Sequence, residues 1–246
     1  MSQEQYLNKA AMYDLLSCYY KYSNPNMHHH HYLKHLKYMR LALEAQRADL
    51  TTAAQPSYVR VFHGVPDAGE VDVYVNGHRV LRKLAFKDVS DYLTLPGGKY
   101  HIDVYPTGTS TETIISKKVK VDPGKAYTLA AAGTTKKLQL LPYVDEPGVP
   151  AGETKVKFIH LSPDAPAVDI AVKGRDVIFP NVSFKQATEY LGLTPMTVDL
   201  EVRPAGSKDV VLSIPDVKFE ANQAYTIIAA GFAGGEPALE AVLING

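Results

Sequence analysis

The stretch VRVFHGVPDAGEVD at Val59–Asp72 recurs as VKFIHLSPDAPAVD at Val156–Asp169, 97 positions further along the chain. Later matches are offset by 98 residues, as in Tyr127 with Tyr225 and Gly133 with Gly231. One inserted residue explains the change of offset. Self-similarity at a fixed spacing marks repeated structural units, so residues 58–144 and 155–244 are predicted to be tandem copies of one domain.

Apolar and polar residues of the first copy alternate with the period of a half-buried strand. Val71–Val75 precedes Asn76-Gly77, the strongest two-residue hairpin signal, because both positions tolerate positive φ. Further strand-like runs follow at intervals of about 8–12 residues, separated by proline and glycine turns, which is typical of an antiparallel sandwich or barrel. The runs are Tyr92–Leu95, Tyr100–Tyr105, Thr113–Val121, Ala126–Ala132 and Leu138–Val144.

Residues 1–50 differ in composition, with seven of the tyrosines, five of the histidines, one proline and no glycine. Helix formers dominate and apolar residues recur at helical spacing, which predicts helices over Gln3–Tyr22 and His29–Leu50. Ser23–Asn26 between them contains a proline and predicts a turn. The segment is predicted to be a helical hairpin, too small to bury much core alone, which should dock on a partner.

The predicted domain organisation is a helical hairpin at 1–54, a first β domain at 55–145, a linker at 146–154 and a second β domain at 155–246. The linker is rich in proline and glycine, which is typical of a short, semi-extended connection. The lone Cys18 excludes an intramolecular disulfide, and its apolar context predicts a buried side chain.

The repeated His-x-x-Pro-Asp-Ala-x-x-Val-Asp motif resembles that of the bacterial DUF4397 family, a domain of unknown function. The stretches Gly98–Gly108, Ala126–Gly133 and Ala224–Gly231 support the resemblance, which covers both β domains. It implies a mainly β fold of two tandem immunoglobulin-like or transthyretin-like antiparallel β-sandwiches, here preceded by the α-helical hairpin. It also implies an envelope or secreted setting, but supplies no reaction. The helical N-terminus, rich in tyrosine and histidine, resembles extensions on DUF4397 proteins of spore-forming Bacillus relatives.

The composition and the motifs argue against several classes of protein. The 26 Lys and Arg balance 26 Asp and Glu, which argues against a nucleic-acid binder held by bulk charge. No apolar run approaches the roughly 20 residues that span a bilayer, and the N-terminus shows no secretory signal pattern. No catalytic or nucleotide-binding motif is found, so the sequence predicts no enzyme, no catalytic residue and no cofactor.

The repeated motif supplies the first candidate site. Its polar residues are His63, Asp67 and Asp72 in one copy and His160, Asp164 and Asp169 in the other. Imidazole with carboxylates suits a transition metal, so one hypothesis is a ligand-binding module for a metal or a glycan. The alternative is structural, because Pro-Asp is a turn pair whose carboxylate bonds backbone N–H groups, and histidine can satisfy the polar groups of that turn.

The histidine run at residues 28–31 gives a second candidate site. On a helix, His28, His31 and His35 share one face, and histidines at i and i+4 can chelate Zn²⁺ or Ni²⁺. No neighbouring carboxylate or cysteine completes a set of ligands, so only adventitious metal affinity is expected. The alternative is a pH-sensitive patch, since clustered histidines become charged below about pH 6.5.

Aromatic and apolar side chains of the helical segment form a third candidate, an assembly interface. Tyrosine is enriched at interfaces because it offers a large contact area with a polar tip. The candidate residues are Tyr6, Tyr13, Tyr19, Tyr20, Tyr32, Leu36, Met39 and Leu43. The alternative places these side chains in the core of the hairpin itself.

Together these features predict a non-enzymatic structural protein of a bacterial cell or spore surface, delivered without a classical signal peptide. A cytoplasmic location is the alternative. The expected partners are other copies of the chain, in an oligomer or a fibre, or other surface or coat proteins. Contacts are expected through the helical segment and through unpaired backbone groups at the sandwich edges, with no nucleic acid and no membrane span.

Overall fold

The computed structural model describes residues 1–53, 55–109 and 111–246, and it describes no side chain of residues 49–53. Two compact units are present, Met1–Gln55 and Pro56–Gly246. We call the second unit the β body. The domain boundary predicted at residue 54 lies outside the described residues.

The first unit is a helical hairpin formed by α1 (Gln3–Tyr20) and α2 (Pro25–Ala53). A capping box begins α1, because the Ser2 side chain accepts the N–H of Gln5 and the Gln5 side chain accepts the N–H of Ser2. Over the part of the chain that the structure describes, neither helix carries an apolar stretch long enough to cross a bilayer.

The second helix begins four residues before the predicted start at His29. Proline disfavours helix in the residue before it, but its fixed φ suits the first turn of a helix. Asn24 then acts as the N-cap, since its side-chain oxygen accepts the N–H of Met27 at 3.2 Å. Pro25 therefore starts α2 instead of lying within a turn.

The β body contains two copies of one β-sandwich, which follow the repeat in the sequence. The first copy consists of β1 (Pro56–Gly64), β2 (Val71–Val75), β3 (His78–Leu84), β4 (Leu93–Pro96), β5 (Gly98–Pro106), β6 (Ile115–Val121), β7 (Ala126–Thr134) and β8 (Lys137–Asp145). The second copy consists of β9 (Thr154–His160), β10 (Val168–Val172), β11 (Val177–Val182), β12 (Leu191–Leu193), β13 (Met196–Pro204), β14 (Leu212–Phe219), β15 (Gln223–Ala230) and β16 (Glu240–Asn245).

Among the described residues, the sheets of the first copy are β4-β1-β7-β8 and β3-β2-β5-β6, and those of the second are β12-β9-β15-β16 and β11-β10-β13-β14. The central pairs β1–β7 and β9–β15 are parallel, whereas the neighbouring ladders are antiparallel. The sequence predicts antiparallel sheets, and these two parallel pairs differ from that prediction. Between β1 and β7 the chain crosses to the opposite sheet twice, and β4 returns to the first sheet in between. It then enters β7 in the direction of β1, and such a crossover is what parallel pairing requires.

Each sandwich has its own core, and a further apolar cluster joins the two copies. Val61 and Leu129 point into the core of the first copy, while Phe158 and Ile227 point into that of the second. The joining cluster comprises Phe62, Ala130, Ala132, Ile159, Leu161, Ile228, Ala230 and Ile244. It packs the sheet β4-β1-β7-β8 against the sheet β12-β9-β15-β16. The strands β1, β7, β9 and β15 are therefore covered on both faces, which explains their nearly continuous runs of buried residues.

Candidate functional site

Two histidines of α2 hydrogen-bond across the hairpin to α1. His28 Nδ1 lies 2.9 Å from the backbone oxygen of Ser17 and 2.9 Å from its Oγ. His35 Nδ1 lies 3.0 Å from the backbone oxygen of Ala10. Because a carbonyl oxygen only accepts, Nδ1 carries the proton in both rings. A metal ion bound to these rings would therefore have to use Nε2.

His31 lies between these two histidines, in the contact between the helices. Its ring stacks on Tyr13 and Tyr20, with centroid separations of 6.0 and 5.5 Å. Its Nδ1 is buried and has no hydrogen-bond partner among the described residues. Burial lowers the pKa of His31, and the nearby charges of His30 and Lys34 lower it further. His31 is therefore neutral at pH 7.

The predicted assembly residues divide between the inside and the outside of the hairpin. The half-buried members are Tyr6, Tyr13, Tyr20 and Met39. The exposed members are Tyr19, Tyr32, Leu36 and Leu43. Sequence reasoning missed further exposed apolar side chains within the two helices, which are Leu7, Met12, Leu15 and Leu33. The predicted assembly residues therefore form part of the contact between the two helices and part of an apolar outer surface.

Cys18 is exposed, so the prediction of a buried thiol is wrong. The contact with α2 runs through Ala10 and Ser17, which lie seven residues apart on one face of α1 and are both buried. Cys18 is turned about 100° from Ser17 around the helix axis, toward the face of Leu15. Two of its apolar neighbours in the sequence, Leu15 and Tyr19, are likewise exposed.

The contact between the two sandwiches contains a buried ionic cluster that sequence reasoning missed. Asp145 Oδ1 lies 2.8 Å from Lys157 Nζ, and Asp145 Oδ2 lies 3.5 Å from Arg60 Nε. The side chains of Arg60, Asp145 and Lys157 are only 5%, 0% and 2% exposed. The available signal was a cation inside an otherwise apolar strand, placed 97 residues apart in the two copies.

Each cation of this cluster also binds the last strand of the other copy. Lys157 Nζ donates to the backbone oxygen of Val144 on β8 at 2.6 Å. Arg60 Nη1 donates to the backbone oxygen of Asn245 on β16. The two contacts are reciprocal, so the cluster ties each sandwich to the other.

The Asp145 carboxylate accepts two further hydrogen bonds. Thr128 Oγ1 donates to Oδ2 at 2.6 Å, and Tyr92 Oη donates to the same oxygen at 2.8 Å. The Tyr92 ring also lies against the Arg60 guanidinium, 4.6 Å from ring centroid to Cζ. Burial and the negative charge of Asp145 raise the pKa of Tyr92, so the phenol stays protonated and keeps donating.

Each repeated loop is closed by its histidine. At the end of β1, His63 Nε2 lies 3.0 Å from the backbone oxygen of Gly69, and Nδ1 accepts the N–H of Val65 at 3.3 Å. The equivalent distances in the second copy are 3.1 Å from His160 Nε2 to Pro166 O and 3.3 Å from Ser162 N to His160 Nδ1. Both ring nitrogens are thus engaged within the loop.

The first aspartate of the motif fixes the same loop to a distant turn. Asp67 accepts the N–H and the hydroxyl of Thr135, at 2.9 and 2.7 Å. Asp164 accepts the N–H groups of Ala233 and Gly234, at 2.8 and 3.1 Å. Partial burial opposes ionisation of Asp164, but these donors outweigh it and lower its pKa.

The second aspartate holds an irregular residue of the adjacent strand. Asp72 accepts the N–H of Lys83 at 3.0 Å and pairs with Arg79 at 3.2 Å. Asp169 accepts the N–H of Asn181 at 2.7 Å. Lys83 and Asn181 have φ of 51° and 52°, and both interrupt the regular pairing of their strands. The hydrogen bond from Lys83 is the main cause of the lowered pKa of Asp72.

The polar residues of each motif therefore share a region of the sandwich but bind separate partners. Over residues 1–53, 55–109 and 111–246, no group of three or more His, Cys, Asp or Glu side chains is arranged to hold a metal ion. The ligand site in these loops stays a prediction.

A model of the DUF4397 family, described as a domain of unknown function, matches residues 57–171 and 162–245. The chain belongs to the DUF4397 family. The two matches confirm the resemblance carried by the repeated motif, and they cover both sandwiches. A search of the curated proteins gave no match.

Three solved structures that resemble this DUF4397 chain have TM-scores below 0.25. A family 26 carbohydrate-binding module of Eubacterium rectale, solved with maltoheptaose, shares 8% identity over 77% of this chain and 96% of its own, with a TM-score of 0.24. The TIE protein of Bacillus anthracis shares 13% identity over 72% of this chain and 34% of its own, with a TM-score of 0.24. A proposed cell adhesion protein of Bacteroides ovatus shares 10% identity over 77% of this chain and 96% of its own, with a TM-score of 0.23. Similarity at this level carries no argument about function.

The loop histidines make the DUF4397 sandwiches sensitive to acid. Burial lowers the pKa of His63 and of His160 below the ordinary 6.5. The unfolded chain therefore binds protons before the folded domains do, and the free energy of unfolding is expected to fall as the pH drops below about 6.5. Urea unfolding at pH 7 and pH 5 measures this change.

Replacing both rings with glutamine should remove most of this loss between pH 7 and pH 5. His78→Gln is the control, because His78 is exposed on β3. An equal loss in the wild type and in the His63→Gln/His160→Gln variant would show that other groups cause the acid sensitivity.

Proposed function

We propose that the protein is a non-enzymatic structural protein of a bacterial cell or spore surface, assembled through its helical hairpin. In this proposal the hairpin joins copies of the chain, and the two DUF4397 sandwiches form a rigid body that the assembly displays. The observation that carries the proposal is the amount of apolar surface on the outside of the hairpin.

The hairpin buries small or polar side chains and exposes large apolar ones. Its buried described residues are Ala10, Ser17, His31 and Ala42. By contrast, Leu15 is 72% exposed and Leu43 is 53% exposed. A two-helix unit with so small a core is marginal alone, since helices in proteins gain most of their stability from packing an apolar face against other elements.

The occupant that fits this surface best is the hairpin of a second copy. Two hairpins can pack as a four-helix bundle and enclose the apolar side chains of both helices in a new core. The exposed Tyr19 and Tyr32 add ring area whose hydroxyl groups can reach water at the rim of such a bundle. Sandwich edges and other coat proteins would supply later contacts of the same assembly.

The β body fits the role of a rigid displayed module. The apolar cluster between the sandwiches and the ionic cluster beside it fix one copy against the other. The polar residues of the repeated loops form their hydrogen bonds within their own sandwich, which supports a structural role over catalysis. The surface location rests on membership of the DUF4397 family and on the tyrosine-rich and histidine-rich hairpin.

Placing charges on the hairpin surface is expected to break the assembly. In the Leu15→Glu/Leu43→Glu variant, two large side chains can no longer be buried, so association should weaken at least about a hundredfold. Light scattering coupled to gel filtration measures the mass against concentration, with circular dichroism as a check on helix content.

The matched control is Asn8→Glu/Gln46→Glu, which adds the same two charges at exposed polar positions of α1 and α2. This control should associate like the wild type. If both double variants associate to the same extent as the wild type, the hairpin surface is not the contact.

A further inference from the structure

The two sandwiches differ sharply in the charge of their outer sheets. We call β3-β2-β5-β6 and β11-β10-β13-β14 the outer sheets, because the other two sheets pack on each other. The strands of the first outer sheet contain seven Lys or Arg and two Asp, whereas those of the second contain two Lys or Arg and four Asp or Glu. With histidine neutral, the first outer sheet therefore has a net charge of +5 and the second a net charge of −2.

The first outer sheet also carries a pair of tyrosines on its outward face. Val73 and Val104 point into the core of the sandwich. Side chains alternate between the two faces of a strand, so the following residues, Tyr74 and Tyr105, lie on the outward face. Their ring centroids are 5.0 Å apart, and both side chains are half-buried. Part of each ring is therefore open to a ligand.

Two lysines extend this face along β5 and β6. Lys99 lies on the same side of β5 as Tyr105, and Lys118 lies opposite His101, which is also on that side. Both lysines are exposed, and neither has an ion-pair partner among the residues that the structure describes. Six residues of strand separate Lys99 from Tyr105, a length of about 20 Å. We call Tyr74, Tyr105, Lys99 and Lys118 the binding strip.

The centre of the binding strip both donates and accepts hydrogen bonds. Asp103 lies opposite Tyr74, and its Oδ1 is 3.2 Å from His101 Nε2. Ser116 lies opposite Asp103 on β6, and its Oγ is 2.7 Å from the same nitrogen. A carboxylate accepts hydrogen bonds from hydroxyl groups but repels phosphate. This centre therefore suits a sugar better than the backbone of a nucleic acid.

The second sandwich has the same fold without the binding strip. At the positions of the two tyrosines and the two lysines it has Ala171, Arg203, Thr197 and Asp216. Arg203 forms an ion pair with Glu201 of the same strand. The sandwich can therefore form without the four side chains of the strip, which leaves them available for binding.

We propose that the outer sheet of the first sandwich binds an acidic polysaccharide. Its sugar rings would lie against Tyr74 and Tyr105, because aromatic rings offer apolar contact area, and its carboxylates would pair with Lys99 and Lys118. A strip about 20 Å long suits a linear chain of several sugar units. This site goes beyond the structural role proposed above, and it does not depend on assembly through the hairpin.

Calorimetric titration of the intact protein with hexagalacturonate at low ionic strength tests the proposal. Binding is expected. Neutral maltohexaose lacks the carboxylates and hexaglutamate lacks the sugar rings, so each should bind at least about tenfold more weakly. A hexathymidylate should also bind more weakly, because its phosphates meet Asp103. Equal affinity for any of these three probes overturns the proposal. Absence of hexagalacturonate binding also overturns it, as expected if the acidic outer sheet of another copy covers the strip.

Matched variants locate the site on the binding strip. Tyr74→Thr/Tyr105→Thr keeps residues that suit a strand, and Lys99→Ser/Lys118→Ser removes the two free charges. Each should weaken hexagalacturonate binding at least about tenfold, and the lysine variant should also reduce its salt dependence.

The control is Lys208→Ser/Lys218→Ser, which removes two exposed lysines of the second sandwich and should bind like the wild type. Thermal unfolding followed by circular dichroism checks that each variant is folded. Wild-type affinity in either strip variant, or an equal loss in the control, would overturn the proposal.

Discussion

Replacing Asp145 with asparagine is expected to lower the free energy of unfolding of the β body by about 3–5 kcal/mol. The side chain is fully buried and contacts both Arg60 and Lys157, which are themselves almost fully buried. Asparagine keeps the shape but removes the charge, so two cations remain in a low-dielectric setting without their counter-charge. Urea unfolding of the intact protein, followed by circular dichroism, measures the loss.

The control for this prediction is the next residue along the chain. Glu146 is 63% exposed and lies 3.6 Å from Lys155, so Glu146→Gln removes a surface ion pair. Such a pair contributes about 0–1 kcal/mol. A loss for Asp145→Asn no larger than that for Glu146→Gln contradicts the importance of the buried cluster.

Truncating Phe62 to alanine is expected to lower the free energy of unfolding of the β body by about 3–5 kcal/mol, which is the second large effect. Phe62 is 0% exposed and packs with Ala130 and Ile159 in the cluster that joins the two sandwiches. The packed sheets cannot close over the missing ring, so a cavity remains between them. Scanning calorimetry should show one transition for the wild-type β body and a lower midpoint for the variant.

Leu243→Ala serves as the comparison, because Leu243 on β16 is 42% exposed. Substitutions at exposed positions usually change stability by less than about 0.5 kcal/mol. If Phe62→Ala is as mild as Leu243→Ala, the two sandwiches do not stabilise each other through this cluster.

The sandwich fold could be predicted because its signals are local and occur twice. Asn76 and Gly77 do adopt positive φ, 50° and 82°, in the turn between β2 and β3. The repeated motif has a histidine at or next to the end of the first strand of each copy and Pro-Asp in the loop that follows, so one pattern located the same turn in both copies. Local pattern and repeat therefore pointed to the same architecture.

The packing of one sandwich on the other could not be predicted in this way. Along β7, Tyr127 and Leu129 face their own core, whereas Ala130 belongs to the cluster that joins the copies. A strand covered on both faces has no alternation, so its sequence does not reveal what covers the second face. The parallel pairing of β1 with β7 was missed for a related reason, since it depends on the path of the chain and not on local residues.

In the candidate sites too, some features could be predicted from local sequence, and others depend on packing between elements. Helical spacing placed His28, His31 and His35 on one face of a helix, but only the packing shows that this face meets α1. The ionic cluster joins Arg60 to Asp145 across 85 residues, and that pairing follows from sheet order. Spacing in the sequence identifies which side chains share an element, while contacts between elements require the fold.

Sedimentation equilibrium of the intact chain and of the β body alone tests most directly whether the hairpin assembles the protein. We expect the intact chain to reach a multiple of 27.0 kDa as its concentration rises, while Pro56–Gly246 stays a monomer. An intact chain that remains at 27.0 kDa over the whole range, or a β body that assembles to the same extent, would contradict it.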